Sequence, residues 1–281
     1  MTDELLEFDV GAAPTESAQT ARVGGFLQRT GMRQLVWLLD KTIVIWTAVG
    51  LTFLAQGLIT WLKVPAYTLP TPYSVLLALK NNWSTLLNDT YTTSEELAVG
   101  LGIGLALGLV LGAVLAESRI ANKLIAPYVI AIVTTPVIVF APLFGIWFNF
   151  DIWSKVLMIV LMTFAPLTVN AAAGFKSLDN ETYELMRSLS ASRFEMNVKA
   201  RLPNALPSIF AGAKISAVMS VIAVVTAEFI GSQSGLGHTV YYAQTLSQND
   251  LLIAAALVLI AMGLVLYYGV AAVEKRAVFW R

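Results

Sequence analysis

Long apolar runs alternate with short polar ones from residue 42 onwards, and this alternation predicts a helical membrane protein. Six stretches hold the roughly 20 mostly apolar residues a membrane-crossing helix needs: Thr42 to Leu62, Leu97 to Leu115, Leu124 to Phe148, Val156 to Ala173, Ile209 to Ile230 and Leu251 to Val273. The third contains Pro127, Pro136 and Pro142. It is expected to be kinked or broken, which a bilayer tolerates only where protein or a water-filled cavity satisfies the freed backbone groups. Between the first two spans, Thr71-Pro72 starts a helix on which Val75, Leu76, Leu79, Trp83, Leu86 and Leu87 recur at helical spacing. An amphipathic helix at the outer interface and a loop helix packed on the bundle both fit that pattern. Along the second span, Gly100, Gly104, Gly108 and Gly112 share one face, a small-residue stripe that lets another helix approach closely. The stripe is read as packing within one bundle, with a subunit interface as the alternative.

Composition agrees with the bilayer as solvent. The chain is 57% hydrophobic and 13% charged, against about 25% charged for soluble domains, and its mean hydropathy is +0.71. It has no cysteine and one histidine, His238, so disulfides, thiolate metal sites and histidine clusters are excluded and no catalytic or metal-ligating set is expected. His238 is read as a solvated residue of an outer loop. The net charge is zero, so only the distribution of charge informs, and nothing points to nucleic acid. Residues 1–40 are polar, small and acidic, and are expected to form a disordered cytosolic tail, while 41–281 form the membrane domain. The first apolar run starts too late for a secretory signal and is expected to be retained.

Orientation follows from lysine and arginine, which stay on the cytoplasmic side. With the N-terminus inside, fifteen of the eighteen basic residues fall in cytoplasmic segments, and only Lys63, Lys80 and Lys155 fall outside. Both termini are therefore expected in the cytoplasm.

The segment from Ser177 to Pro207, between the fourth and fifth spans, is too charged for lipid and too regular for a passive connector. Asp179 or Asn180 can cap a first short helix running through Glu184 to about Leu189. Ser192 followed by Glu195 makes a capping box for a second. Ser190-Ala191 supplies the turn between them. Pro203 is expected to end the second helix near Leu202, because the residue before a proline avoids helical geometry.

This loop resembles the cytoplasmic coupling motif of binding-protein-dependent ABC permeases. That motif reads Glu-Ala-Ala, three residues, Gly, nine residues, then Ile-x-Leu-Pro. Glu184 takes the Glu position, Ser190 the Gly position and Leu202-Pro203 the closing pair, with the spacing kept. The surrounding text is similar to the nitrate, sulfonate, taurine and pyrimidine-precursor branch, and the likeness extends to Leu69-Pro70-Thr71-Pro72, Ala227-Glu228-Phe229 and Gly235-Leu236-Gly237. Leu185-Met186, Ser190 and Ala200 depart from the motif. Serine adopts left-handed backbone geometry less readily than glycine, so Ser190 is the departure with a physical consequence.

The resemblance implies an all-α type I importer permease with six spans and two short coupling helices, embedded in bacterial inner-membrane lipid. It implies a homodimer, two separate ATP-binding cassette subunits carrying ATP and Mg, and an extracytoplasmic substrate-binding protein. The chain has no G-x-x-x-x-G-K-[ST] segment and is not expected to bind ATP or act as an enzyme itself. The coupling residues implied are Glu184, Arg187, Ser188, Ser190, Ala191, Ser192, Leu202 and Pro203. Glu228 is an ionisable group within a span and is read either as a pathway residue or as a structural hydrogen-bonding one. Asn170, Pro136, Pro142 and Phe144 are the other pathway candidates. A secondary transporter or channel remains the alternative and would work without ATP. A membrane-embedded enzyme would need clustered catalytic groups in the spans, where Glu228 stands nearly alone.

Overall fold

The computed structural model describes residues 32–65 and 68–280, all of whose regular elements are helical. The expected tail, as far as residue 31, lies outside the described residues. The chain divides into two compact units at Lys63. The first contains α1 (Met32–Trp61), which runs through the expected first span and starts before it.

The second unit begins with α2 (Pro72–Asn81). The Thr71 hydroxyl accepts the Ser74 N–H, and Pro72 occupies the first turn, where its missing N–H costs nothing. The helix stops at Asn82, and Trp83 opens α3 (Trp83–Glu117). The single amphipathic helix expected through Leu87 is therefore two elements. Trp83, Leu86 and Leu87 belong to the head of a 35-residue helix, because no proline or glycine interrupts the chain between Trp83 and Gly100.

The third span is broken. α4 (Arg119–Thr134) and the segment Val137–Trp147, whose main part is α5 (Phe140–Trp147), meet at 85°. Thr135 and Pro136 are both extended at the corner, the geometry a proline favours in the residue before it. α6 (Ile152–Lys176) follows, then α7 (Asn180–Ser188) and α8, which is continuous from Arg193 to Glu228. Two outer elements finish the fold, α9 (Leu236–Thr245) and α10 (Asn249–Ala277). Of these, α3, α6, α8 and α10 are long and apolar enough to cross a membrane, and the bent pair makes a fifth candidate.

The core is a three-helix layer with α6 between α3 and α8. α6 is 61% buried across its apolar stretch, against 17% for α10, which packs on the outside of α8. The glycine stripe of α3 makes this layer possible. A Cβ on Gly100 would lie 2.6 Å from Ile159 Cβ, one on Gly108 2.6 Å from the Phe164 carbonyl oxygen, and one on Gly112 2.5 Å from Ala171 Cβ. The stripe is thus spent on packing within the chain. On the other side of α6, the Ser216 hydroxyl donates to the Thr163 carbonyl at 2.6 Å, tying α8 to α6 without an unpaired polar atom.

Candidate functional site

Two polar assemblies occupy opposite ends of this layer. At the end where α3 and α6 terminate, α7 and the start of α8 form a helical hairpin. The Asp179 carboxylate accepts the Thr182 N–H and opens α7. Ser192 and Glu195 form the reciprocal capping box that opens α8: the serine hydroxyl accepts the Glu195 N–H at 3.2 Å, and Glu195 Oε2 accepts the Ser192 N–H at 3.1 Å. Between them the chain reverses at Ser190, whose φ of +56° is the left-handed geometry that favours glycine. That conformation costs a serine about 1–2 kcal/mol, and the two flanking caps hold it in place.

The second hairpin helix does not end at Leu202. Residues Met196–Arg201 widen into a π-helical turn in which the Leu202 N–H reaches the Asn197 carbonyl, five residues back. Pro203 then enters the helix without colliding with a regular preceding turn, and α8 runs on through Pro207. The turn that expectation made a stop is a hinge-like irregularity in a single 36-residue helix.

The hairpin is fastened at its root. Arg201 Nη1 pairs with Glu117 Oε2 at the C-terminal end of α3 at 2.5 Å and also reaches Asn197 Oδ1 at 3.3 Å. Asn204 donates to the Ser177 hydroxyl at 2.9 Å. Its tip presents apolar side chains to the surroundings: Leu185 is 59%, Leu189 70% and Phe194 75% exposed. Glu184, Arg187, Ser188, Ser190 and Ser192 are all exposed on the same hairpin, with Ala191 partly so, while Leu202 and Pro203 sit at its root.

At the opposite end, side chains of α3 and α8 converge on the N-terminus of α9. Glu228 Oε1 accepts the Thr93 hydroxyl at 2.8 Å and its Oε2 accepts the Gly237 N–H at 2.5 Å. Thr93 in turn accepts the Leu236 N–H at 2.9 Å. Asp89 accepts the Gly235 N–H at 3.2 Å and the Thr239 hydroxyl. Gly235 at the cap position of α9 has no side chain, so three consecutive N–H groups are satisfied by α3 and α8 instead. The two carboxylates also face the positive end of that helix dipole. Beside them Lys155 of α6 pairs with Glu96 of α3 at 2.5 Å, with both side chains buried.

Glu228 thus makes the structural hydrogen bonds that one of its two expected roles requires. The separate sequence elements Glu228 and Gly235-Leu236-Gly237 are one unit: a Cβ on Gly235 would lie 2.1 Å from Glu228 Oε1, and one on Gly237 2.7 Å from Oε2. The other pathway candidates do not gather round it. Asn170 donates to the Pro166 carbonyl of its own helix at 2.8 Å and packs against Gly212. Phe144 is buried against Met158 and Ala227, whereas Pro136 and Pro142 lie exposed at and beyond the helix corner. His238 is on α9, not in a loop, because the external capping starts that helix at Leu236; its ring stacks on Tyr242, one turn on, at 6.1 Å.

Asp89, Thr93, Glu96 and Lys155 were not among the sequence candidates. A signal existed: Asp89, Thr93 and Glu96 continue the Gly100 and Gly104 face of α3 at helical spacing, so they had to meet α6 and its neighbours.

Comparison with known proteins agrees with this architecture. Residues 104–278 match the family described as "Binding-protein-dependent transport system inner membrane component". The riboflavin transport system permease protein RibX of Chloroflexus aurantiacus is 32% identical over 247 residues, covering 84% of this chain and 91% of the relative. The putative aliphatic sulfonates transport permease protein SsuC of Bacillus subtilis is 28% identical over 273 residues, 96% of each chain. The formylaminopyrimidine transport permease protein ThiX of Halalkalibacterium halodurans is 28% identical over 216 residues, 76% of this chain and 86% of the relative. Among solved structures, a chain of the inward-facing MetNI methionine ABC transporter aligns over 70% of this chain and 98% of its own length, with a TM-score of 0.63 at 15% identity, a likeness of fold alone. The chain therefore belongs to the family of binding-protein-dependent transport system inner membrane components, and is a permease component of the ABC importer class.

Proposed function

We propose that the chain forms the solute pathway of an ATP-driven importer and that the hairpin of α7 and the start of α8 is the surface on which a separate ATP-binding subunit docks. The observation that carries this reading is the hairpin itself: a twice-capped, root-fastened protrusion with Leu185, Leu189 and Phe194 exposed at its tip. Leu185 and Leu189 stand one turn apart on the same face, and apolar side chains grouped on a charged segment outside the bilayer mark a protein contact. Glu184, Arg187, Ser188, Ser190, Ala191 and Ser192 surround that tip, and Leu202-Pro203 follow the π-helical turn through which movement of the hairpin would pass into α8.

In this reading α1, α3, the bent α4–α5 pair, α6, α8 and α10 are the six spans, with both termini and the hairpin in the cytoplasm. The distribution of basic residues supports that orientation. Two copies of the chain pair, each with one ATP-binding subunit carrying ATP and Mg, and an extracytoplasmic binding protein delivers solute at the end where α9 sits. ATP binding draws the hairpins together and turns the helical layers as rigid bodies, an alternating-access change. Glu228 and Asp89 fix α9 at the outer end, and Asn170, Pro136, Pro142 and Phe144 remain candidates for the pathway wall. The solute is a small molecule of the range named for the relatives, from sulfonates to riboflavin.

Co-expression with the neighbouring genes tests the scheme. A stable complex with a subunit containing a phosphate-binding loop, and uptake into proteoliposomes that requires internal or external ATP on one side only, are expected. ATP-independent uptake by the chain alone would overturn the scheme in favour of a secondary transporter.

A further inference from the structure

Two cavities flank the root of the hairpin and share Glu117, Asn197 and Arg201 along their common wall. The first, of about 340 Å³, is polar and is lined further by Tyr183, Arg187 and Arg193. The second, of about 210 Å³, is apolar and is lined further by Ala113, Ala116, Phe175 and Leu202, between the end of α3 and the beginning of α8. They adjoin at the Glu117–Arg201 pair, a basic limb at the hairpin and an apolar limb between the end of α3 and the start of α8.

The charge in the basic limb is unbalanced. Arg201 is committed to Glu117, while Arg187 and Arg193 have no carboxylate partner among the described residues. They lie on the two arms of the hairpin, either side of the Ser190 turn, and both residues line one small space. A guanidinium is weakly hydrated and presents paired donors that match phosphate oxygens. The small side chains of Ala113 and Ala116 leave room for a hydrocarbon chain beside the end of α3. A basic pocket between helices at a cytoplasmic membrane boundary is suited to an anionic headgroup.

We propose that these adjoining cavities bind an anionic phospholipid, its phosphate held by Arg187 and Arg193 and one acyl chain lying in the apolar limb against Ala113 and Ala116. The site rests on the cytoplasmic placement of the hairpin. A lipid seated there bridges α3 and both hairpin arms, and so supports the Glu117–Arg201 contact that fastens the hairpin.

Native mass spectrometry of the full chain in detergent, titrated with phosphatidylglycerol or phosphatidylcholine, tests this directly. Phosphatidylglycerol is expected to bind about tenfold more tightly, because both lipids carry the phosphate but phosphatidylcholine also brings a quaternary ammonium that the two arginines repel. Arg193→Gln should bring the two lipids to within about twofold of each other, and Arg193→Lys should keep most of the preference. Ala116→Leu, which fills the apolar limb, should weaken both lipids. Equal affinity for the two lipids, or an unchanged preference in Arg193→Gln, would overturn the proposal. So would displacement of phosphatidylglycerol by an equal concentration of glycerol phosphate, because that result assigns the basic limb to a free anion or to an acidic side chain of a partner subunit. The readout needs neither ATP nor a partner, so its failure leaves the docking role of the hairpin standing, and loss of that role leaves this result interpretable.

Discussion

Glu228, the last residue of α8, accepts the backbone N–H of Gly237 in the first turn of α9 and so caps a helix that cannot cap itself. The same carboxylate fills the space a side chain on Gly235 would need. Glu228→Gln puts an amide where two acceptors are required, leaving a buried donor facing Thr93 or Gly237, and is expected to cost about 1–3 kcal/mol. Gly235→Ala is expected to be worse, since its φ of +106° and the carboxylate both exclude a methyl group. Thermal unfolding in detergent, followed by fluorescence-detected size exclusion, should rank wild type above Glu228→Gln and Glu228→Gln above Gly235→Ala.

The Lys155–Glu96 pair joins α6 to α3 beside that cap, with side-chain exposures of 9% and 2%. Removing one member strands the other, at a cost of about 3–5 kcal/mol, whereas replacing both with apolar residues of similar size is close to neutral. Lys155→Met is therefore expected to lose most of its folded yield, and the double variant Lys155→Met, Glu96→Leu to regain much of it. A double variant no better than the single one would show that the pair has a role beyond mutual neutralisation.

The glycines of α3 supply an internal control. Gly108→Ala drives a methyl group into the Phe164 carbonyl and Gly112→Ala into Ala171, while Gly102 on the opposite face has nothing within 4 Å. The first two are expected to destabilise the bundle by about 1–3 kcal/mol through overpacking, and Gly102→Ala to be neutral or slightly stabilising. Comparable melting temperatures for all three would contradict the packing of α3 on α6.

Asp179 makes the α7 cap pH-dependent. Hydrogen bonds from the Thr182 N–H and hydroxyl hold its carboxyl below the ordinary value of 3.8. A depressed folded-state pKa means that the contribution is fully present above the unfolded value and fades as pH falls through the folded one. Hydrogen exchange of residues 180–188, corrected for intrinsic rates, is expected to show unchanged protection from pH 7 to about 4 and loss below it. Asp179→Asn keeps a capping oxygen and should remove the pH dependence.

Much of this fold is legible in the sequence, and what is legible is local. The Thr71-Pro72 helix start, the Ser192 and Glu195 capping box, the break at Pro136 and the turn at Ser190 each depend on residues within about four positions of one another. Pro203 misled because a single π-helical turn lets a helix absorb a proline, and no local pattern announces that turn. The cap of α9 lay beyond local reading, since Thr93 and Glu228 stand 135 residues apart and meet only once α3 and α8 share α6. Glu228 stood out as an ionisable group in an apolar span, but its partners had to come from the packing.

The central claim is that the hairpin converts another subunit's ATP cycle into movement, and Glu184 tests it most directly. The complex of permease, ATP-binding subunits and binding protein, reconstituted in proteoliposomes, is assayed for ATP hydrolysis stimulated by the loaded binding protein. Glu184→Lys, which reverses an exposed charge on α7, and deletion of Ser188 to Ser192, which removes the Ser190 turn, are compared with wild type at equal membrane insertion. Loss of the stimulated hydrolysis and of uptake in both variants, with the bundle's melting temperature unchanged, is the expected result; uptake at the wild-type rate in either variant would contradict the assignment.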